Sequence, residues 1–468
     1  MLLEWILALF VLTQVCYFVV NLAMAVFVFY HSNDDIDTEE MSLLAELVAV
    51  GTDGGGDSHP RPTEGDRTGA VDVAQTGEAR GRKLPDVHVL IPVYREHPEI
   101  LIETLENVFG QTYPTECLHA FIIYEDDDPT VPALLEAVGD WMDGTTDVTT
   151  VAVDHDVLEF DQAPGKWVLG GHQVSRTKAA ALTYAFSVLP FDSRDVITVF
   201  DSDTLVPEDT FALGVAMLES NDIVQAKQTV RNIDDGLLAL LESMGIAAWS
   251  GIAYARATNG PYQLLGKGYF LEAGTLYDIG KWQIDAATED MTLGLTAYSK
   301  GYTLGIIDRY IQDTCPSRYR DWVRQKRRWV RGPYEYVSVD GWSLRARMQF
   351  LTATIANQSI SLINVVGLPV GALVLWLTLT GNPPSLHTGI WVLVVFNGIV
   401  WIYYSLLTYL TVREAVIFES RRQKLRYYLI SNPITQAVYA TLWAVPIVLA
   451  MADHLRGKRA TFEVTPKG

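Results

Sequence analysis

Basic residues are scarce in this sequence, which has 35 Lys and Arg against 56 Asp and Glu in 468 residues and a formal net charge of −21. A nucleic-acid partner is therefore not expected, because neutralising phosphates needs clustered Lys and Arg. An excess of carboxylates is typical of proteins that stay soluble in high salt, so we expect a halophilic origin. The mean hydropathy is nevertheless +0.14, so charged and apolar residues must be segregated along the chain.

Cysteine is also rare, with only Cys16, Cys117 and Cys315 present and far apart. This spacing indicates neither a cysteine metal cluster nor a disulfide framework. The overall composition excludes a disordered or collagen-like chain.

Long uncharged runs lie at both ends of the sequence. Residues 5–30 are long enough to cross a bilayer and predict a transmembrane helix within residues 1–30. A cleaved signal peptide fits poorly, because no basic residue precedes the run and the run is too long. Residues 349–452 predict three further spans, at about 349–379, 386–411 and 427–452, the last interrupted by Pro433 and Pro446.

Basic residues between the spans predict the orientation. They cluster in 413–426 and just before residue 348, which places these segments and the central domain, residues 85–335, in the cytoplasm of a multi-pass cell-membrane protein in contact with membrane lipid. Residues 31–84 are expected to be an acidic linker with a short interfacial helix over 41–50. An interfacial segment, 336–348, and a tail, 453–468, complete the predicted organisation.

Short β-rich runs alternate with helical stretches in the central domain. Strands are predicted over 87–91, 120–124, 149–153 and 196–200, and helices over 100–109 and 177–189. This alternation predicts an α/β domain with a mostly parallel sheet covered on both faces, whose ligands gather at the carboxyl ends of the strands. Acidic clusters follow several of these strands.

Asp201 and Asp203 follow the apolar strand that ends at residue 200. Two carboxylates at a strand end can hold Mg²⁺ or Mn²⁺, which take oxygen ligands and keep positions open for substrate oxygens. A solvated turn is the alternative in so acidic a chain, but the buried strand before the pair favours a metal site.

Thr288, Glu289 and Asp290 precede a helical run. One interpretation is helix capping, with Thr at the N-cap and acids in the first turn. The other makes one carboxylate, Asp290 or Glu289, a general base for an acceptor hydroxyl. A helix N-terminus lowers the basicity of a carboxylate, so burial would have to compensate.

Residues 325–329 lie in a dense cationic stretch before the membrane runs. Such residues can contact anionic lipid headgroups, or an Arg fork can bind a diphosphate while Trp329 offers a face to a sugar. Lesser candidates are Pro92, Tyr94 and Glu96 for a base or ribose, Lys178 for phosphate, and a flexible loop with Gly266 and Lys267 facing an acceptor.

In this order, the motifs resemble the inverting family 2 glycosyltransferases, and in particular the membrane-embedded branch with cellulose, chitin and hyaluronan synthases. The resemblance covers about residues 87–329 and implies a GT-A type nucleotide-sugar-binding domain. The matching positions are Pro92 and Tyr94, the acidic run with Asp126 and Asp127, Lys178, Asp201 and Asp203, residues 288–290, and Gln325, Arg328 and Trp329.

The resemblance also implies roles for these residues. Asp126 or its neighbour Asp127 would hold the nucleotide base, Asp201 the nucleotide, Asp203 the metal ion, and Asp290 would be the catalytic base. Gln325, Arg328 and Trp329 would close over the diphosphate and the acceptor. Pro129 after the acidic run and the small membrane part depart from the family pattern.

The expected function is transfer of a sugar from a nucleotide-diphosphate sugar, with UDP favoured, to a saccharide or lipid-linked acceptor with a β-linkage. Processive polysaccharide synthesis and addition of a single sugar to a lipid-linked glycan both remain open. A more remote alternative is a transporter with a regulatory nucleotide-binding domain, but residues 348–412 contain no Asp, Glu, Lys or Arg, which transport across a membrane usually requires.

Overall fold

The computed structural model describes residues 84–142, 144–154, 177–284, 286, 288–335, 342–412, 415, 416, 418 and 420–457, and residues 5, 7–13, 15, 16 and 19 near the N-terminus. The described residues near the N-terminus are helical. The rest of the first predicted span, the predicted linker with its interfacial helix, residues 336–341 and residues 458–468 lie outside the described part.

Seven strands form a single sheet. They are β1 (Val87–Val93), β2 (Leu118–Glu125), β3 (Asp147–Val153), β4 (Val196–Val199), β5 (Ile223–Val230), β6 (Tyr269–Glu272) and β7 (Leu304–Asp313). The four strands predicted from the sequence are confirmed as β1 to β4.

The strand order is β3-β2-β1-β4-β6-β5-β7. Neighbouring strands are parallel except around β6, which runs antiparallel to both β4 and β5. The predicted α/β class with a mostly parallel mixed sheet is therefore confirmed. Because parallel strands end at the same edge, the chain segments that follow β1, β2, β4 and β7 meet there.

Helices cover both faces of this sheet. Those before the membrane runs are α1 (Pro98–Phe109), α2 (Val131–Trp141), α3 (Lys178–Val188), α4 (Thr210–Met217), α5 (Leu237–Asn259), α6 (Ala273–Ile279), α7 (Glu289–Lys300) and α8 (Tyr319–Glu335). Leu101 and Leu105 of α1 pack in the core on one face, and Leu182 of α3 with Leu293 of α7 in the core on the other. All eight residues of β5 are buried, as a strand covered on both faces requires.

Five helices follow: α9 (Leu344–Leu379), α10 (Thr388–Val412), α11 (Arg421–Ile430), α12 (Pro433–Leu442) and α13 (Ala444–Leu455). Two stretches of the described residues, Gln358–Leu379 and Pro433–Leu455, are helical, long and apolar enough to cross a membrane, and Thr388–Tyr403 is a shorter apolar helix. The predicted number of spans remains a prediction.

The last predicted span, 427–452, differs from the observed helices. α11 ends at Ile430, and a new helix begins at Pro433. The Asn432 side chain accepts hydrogen bonds from the Ile434 and Thr435 backbone N–H groups, at 3.0 and 3.2 Å. Pro433 is well placed at the first helical position, because the N–H that proline lacks has no helical partner there. This proline therefore begins a helix where the uncharged run predicted an interruption.

Candidate active site

The carboxyl edge of the sheet opens into a cavity of about 890 Å³. Pro92, Tyr94 and Glu96, which follow or end β1, line this cavity. The turn after β1 is tied down, since the Arg95 N–H donates to Asp128 Oδ2 at 2.5 Å. The structure thus places the three residues predicted near a base or ribose on one wall of a single large cavity.

The acidic residues 125–128, at the end of β2, differ in burial and in their contacts. Glu125 is buried and lines the cavity, whereas Asp126 and Asp127 are exposed and are not among the cavity-lining residues. Asp128 is buried and accepts hydrogen bonds from the backbone and hydroxyl of Thr130, at 2.9 and 2.8 Å. The base-binding role predicted for Asp126 or Asp127 remains a prediction, and Glu125 is the acidic residue of the run that reaches the cavity.

Three carboxylates converge at the cavity, and two of them, Asp201 and Asp313, line it. Asp201 and Asp203 follow β4, Asp313 ends β7, and one oxygen of each lies within 4.8 Å of the others. Three hard oxygen ligands at this spacing fit Mg²⁺ or Mn²⁺. Asp313 was not among the residues predicted from the sequence, because β7, unlike the strand before Asp201, contains Asp308, Arg309 and Gln312.

Two lysines contact the same cluster. Lys178 Nζ lies 2.6 Å from Asp201 Oδ1 and 3.0 Å from the Gly266 carbonyl. Lys267 Nζ lies 2.9 Å from Asp201 Oδ2 and also contacts Asp313. Lys267 is buried, so this side chain, predicted to face an acceptor, points at the carboxylates; the acceptor role of Gly266 and Lys267 stays a prediction.

The loop that carries Lys267 is held in place. Gln225 Nε2, from β5, donates to the carbonyls of Lys267 and Gly268, at 2.9 and 3.2 Å. The glycine content predicted a flexible loop, and the structure shows a hydrogen-bonded one. Gly266 has φ of +74°, and a Cβ at this position would lie 3.1 Å from Asp290 Oδ2. Glycine is therefore needed here both for its left-handed backbone and for the space beside Asp290.

Asp290 lies at the start of α7 and lines the cavity with Thr288 and Glu289. Burial raises the pKa of Asp290 to about 7, and the neighbouring Glu289 charge adds to this increase. A hydrogen bond from the Met291 N–H and the charges of Lys178 and Arg328 act in the opposite direction but do not prevail. Burial therefore outweighs the helix N-terminus, which would otherwise make this carboxylate more acidic.

Thr288 occupies the N-cap position that the capping interpretation gave it, but its side chain does not cap the helix. Its hydroxyl is buried without a hydrogen-bond partner and belongs to the cavity wall. The first turn of α7 therefore presents a hydroxyl beside the two carboxylates.

Gln325, Arg328 and Trp329 of α8 line the cavity, and their predicted contacts with a diphosphate and an acceptor remain a prediction. Between them lies Lys326, which is fully buried and forms an ion pair with the equally buried Glu242 of α5. The Lys326 ammonium lies 3.3 Å from the centre of the Trp329 ring. It therefore supports this ring from behind by a cation–π contact.

Glu242 also joins α5 to neighbouring elements. It accepts hydrogen bonds from Trp322 Nε1 at 2.6 Å and from the Tyr439 hydroxyl of α12 at 2.5 Å. Sequence reasoning missed this pair, since Glu242 lies 84 residues before Lys326 and no local pattern connects them.

Much of this site lies in a segment of the sequence that is similar to known proteins. The sequence profile described as "Glycosyl transferase family group 2" matches residues 196–413. The match supports a family 2 glycosyltransferase. The matched segment begins at β4 and contains the carboxylate cluster, the first turn of α7 and the cavity-lining face of α8.

The individual relatives of this chain are distant. The chain is 23% identical over 268 residues to the probable glycosyltransferase YdaM of Bacillus subtilis (strain 168), covering 54% of this chain and 56% of that protein. It is 21% identical over 310 residues to the beta-monoglucosyldiacylglycerol synthase of Trichormus variabilis, covering 65% and 61% respectively. The chain thus spans about 60% of the length of these two curated relatives.

One solved structure is similar to this chain over most of the length of both. The mannosyltransferase PcManGT from Pyrobaculum calidifontis, in complex with GDP-Man and Mn²⁺, is 14% identical, with a TM-score of 0.48, over 93% of this chain and 99% of that one.

Proposed function

We propose that this chain is a membrane-bound, metal-dependent, inverting glycosyltransferase of family 2 with a GT-A type domain. The observation that carries the proposal is the position of Asp290, whose pKa is raised to about 7. Asp290 lines the same cavity as Asp201 and Asp313, and Asp203 adjoins it. A carboxylate with a pKa near neutrality is suited to act as a general base. A carboxylate cluster that fits a divalent ion can bind a diphosphate through that ion.

The proposed reaction is a single displacement. The acceptor hydroxyl oxygen forms a bond to the anomeric carbon while the bond from that carbon to the diphosphate breaks. The hydroxyl proton passes to Asp290, and the nucleoside diphosphate leaves, so that an α-linked donor gives a β-linkage. Mg²⁺ or Mn²⁺, held by Asp203 with Asp201 and Asp313, would neutralise charge on the departing diphosphate. Arg328 on the cavity wall is placed to add to this stabilisation.

Donor binding is assigned to the cavity-lining residues at the ends of β1 and β2. The proposed donor is a nucleotide-diphosphate sugar, with UDP favoured, whose base and ribose lie near Pro92, Tyr94, Glu96 and Glu125. Lys178 would contact the phosphates. Gln325, Arg328 and Trp329 would close over the diphosphate and the acceptor, and Gly266 and Lys267 border the same space.

We further propose a multi-pass membrane protein with its catalytic domain in the cytoplasm. Two helices long and apolar enough to span a membrane support this location. The relative named beta-monoglucosyldiacylglycerol synthase supports a lipid acceptor and transfer of one sugar. Polymer synthesis is the competing outcome, and the length of the product, measured by mass spectrometry, separates the two.

The proposal is tested by nucleotide release from a panel of UDP-, GDP- and dTDP-sugars. The purified full chain is assayed in high salt with Mn²⁺ or Mg²⁺, then with EDTA, and beside Asp203→Asn. Release from one donor, lost on chelation and strongly reduced in the variant, is the expected result. Nucleotide binding without release, also in the presence of lipid extracts and oligosaccharides, would instead favour a transporter regulated by a nucleotide.

The close approach of Gly266 to Asp290 gives a further prediction. Gly266→Ala should destabilise the protein by roughly 1–2 kcal/mol through its left-handed backbone and should also lower transfer, because the new methyl group crowds Asp290. Gly301→Ala is the matched control, since its φ is +89° but its Cβ would meet nothing within 4 Å. Melting temperatures should fall similarly in both variants, and transfer should fall only in Gly266→Ala. An equal loss of transfer in both would contradict the crowding argument.

A further inference from the structure

The cavity extends well beyond the proposed catalytic base. Past Asp290 and Trp329 it continues between α9, α10, α12 and α13, the helices that include both candidate membrane spans. We call this part the inner chamber. Its polar lining consists of amide and hydroxyl side chains, among them Gln358, Ser361, Asn364, Asn397 and Gln436.

The side chains that these four helices contribute to the inner chamber are uncharged, and Glu242 of α5, which also lines the cavity, is paired with Lys326. No Asp, Glu, Lys, Arg or His is among the described cavity-lining residues that these four helices contribute. Polar side chains within apolar membrane helices are unfavourable unless they serve a ligand or each other. An uncharged lining with several hydrogen-bonding groups matches an uncharged ligand that bears hydroxyl groups. It does not match a phosphate, which would need cations or several converging N–H groups.

Gln436 gives independent evidence for a ligand. Its amide nitrogen is buried and donates no hydrogen bond within the described protein, although the side chain lies on the chamber wall. Buried polar groups in folded proteins are nearly always paired. An acceptor oxygen supplied by a bound molecule would complete this pairing.

The apolar part of the chamber favours a lipid over a saccharide. Ile360 and Leu368 of α9 and Ile447 of α13 stand among the polar groups. Three aromatic residues in this part of the chain line the cavity: Trp443 packs edge-on against Trp322, with ring centres 5.3 Å apart, the Tyr439 hydroxyl is bonded to Glu242, and Trp401 lies on α10. Hydrogen-bonding groups set among such apolar side chains suit a small hydroxyl-bearing headgroup with attached hydrocarbon.

We propose that the inner chamber binds the acceptor as an uncharged lipid with a free hydroxyl, of the diacylglycerol class, and directs that hydroxyl toward Asp290. This inference rests on the proposed transferase function and specifies its acceptor. Gln436 and Asn364 are then positioning residues for the headgroup, and the lipid phosphates that often carry glycans are excluded as substrates.

The first test compares acceptors directly. The full chain is reconstituted in dioleoylphosphatidylcholine vesicles with the labelled donor from the panel, and 1,2-dioleoylglycerol, a polyprenyl phosphate or a soluble oligosaccharide is added. We expect labelled product from dioleoylglycerol alone. Product from either of the other acceptors, with none from dioleoylglycerol, overturns the inference while leaving the transferase proposal intact. If no preparation releases nucleotide from any donor, the transferase proposal fails instead.

Gln436→Leu tests the chamber itself. It should raise the KM for dioleoylglycerol about 3–10-fold, the effect of one lost neutral hydrogen bond, and leave the KM for the donor unchanged. Its melting temperature should not fall, because the deleted nitrogen has no partner in the protein. Asn382→Leu, at an exposed residue between α9 and α10, is the matched control. An unchanged KM in Gln436→Leu, or an equal rise in the control, would refute the assignment.

A binding measurement is independent of catalysis. Dioleoylglycerol in detergent micelles should raise the melting temperature of the wild-type chain and raise that of Gln436→Leu less, since a ligand stabilises the form that it binds. Equal protection of both proteins would mean that the lipid binds elsewhere, and the inference would be wrong.

Discussion

Asp290→Asn should reduce sugar transfer by about 10²–10⁴-fold, the usual contribution of a general base, and leave donor affinity unchanged. Asparagine keeps the shape of the side chain but cannot accept the acceptor proton. The cations Lys178 and Arg328, which act on this carboxyl, remain in place for the donor phosphates. Transfer rates and donor binding by calorimetry separate the two effects.

The pH dependence follows from the same carboxyl. Because burial raises the pKa of Asp290 to about 7, kcat/KM should rise as the pH increases through 7, where the base becomes ionised. Stability should move in the opposite direction. The protonated form is favoured in the folded state, so its stabilisation is fully present below about pH 4 and is lost progressively as the pH rises from about 4 through 7. The wild-type melting temperature should therefore fall more between pH 5 and 8 than that of Asp290→Asn.

Glu289→Gln is the matched variant for this prediction. The Glu289 charge helps to raise the pKa of Asp290, so its removal should shift the rise in activity to lower pH and retain most of the transfer. Full transfer in Asp290→Asn together with its loss in Glu289→Gln would assign the base to Glu289.

Glu242→Gln should destabilise the protein by about 3–5 kcal/mol, the usual effect of leaving a buried charge without its partner. The Lys326 and Glu242 side chains are 0% and 1% exposed, so water cannot replace the lost carboxylate. The melting temperature in detergent should fall by more than that of any surface charge variant. The KM for the acceptor should also rise, since Lys326 supports the Trp329 ring.

The double variant Glu242→Gln/Lys326→Met separates the contribution of the ion pair to stability from that of side-chain packing. It removes both charges and should recover much of the stability lost in the single variant, because the interaction energy of contacting residues is not additive. Asp234→Asn is the control, since its pair with Arg426 is about half exposed and such pairs contribute about 0–1 kcal/mol. A double variant as unstable as Glu242→Gln would mean that the carboxylate stabilises the fold through Trp322 and Tyr439 alone.

Local patterns predicted the parts of the site that follow a single strand or begin a single helix. Asp201 and Asp203 could be found because the apolar strand before them is contiguous in sequence, and Asp290 because the acids precede a helical run. The sequence pattern did not decide whether burial or the helix N-terminus has the larger effect on the pKa of Asp290. That balance depends on how the whole cavity excludes water, which the sequence does not encode locally.

Non-local pairings escaped prediction. Asp313 joins the carboxylate cluster only because β5, β6 and β7 are arranged side by side in the sheet, and no spacing in the sequence predicts that order. The same arrangement directs Lys267 to Asp201 and Asp313. Asp128 could not be distinguished from Asp126 by composition, since its role follows from a contact with the turn after β1, 33 residues earlier.

Helix α8 fixes the active site to the part of the chain proposed to lie in the bilayer. Arg327 pairs with Asp453 of α13, and the Tyr334 hydroxyl donates to Gln358 of α9 at 2.6 Å. The residues that face the proposed diphosphate stand on the same rigid helix. If the proposed location holds, lateral pressure and thickness of the surrounding lipid would act on catalysis through this one helix, and the membrane would be part of the enzyme's framework.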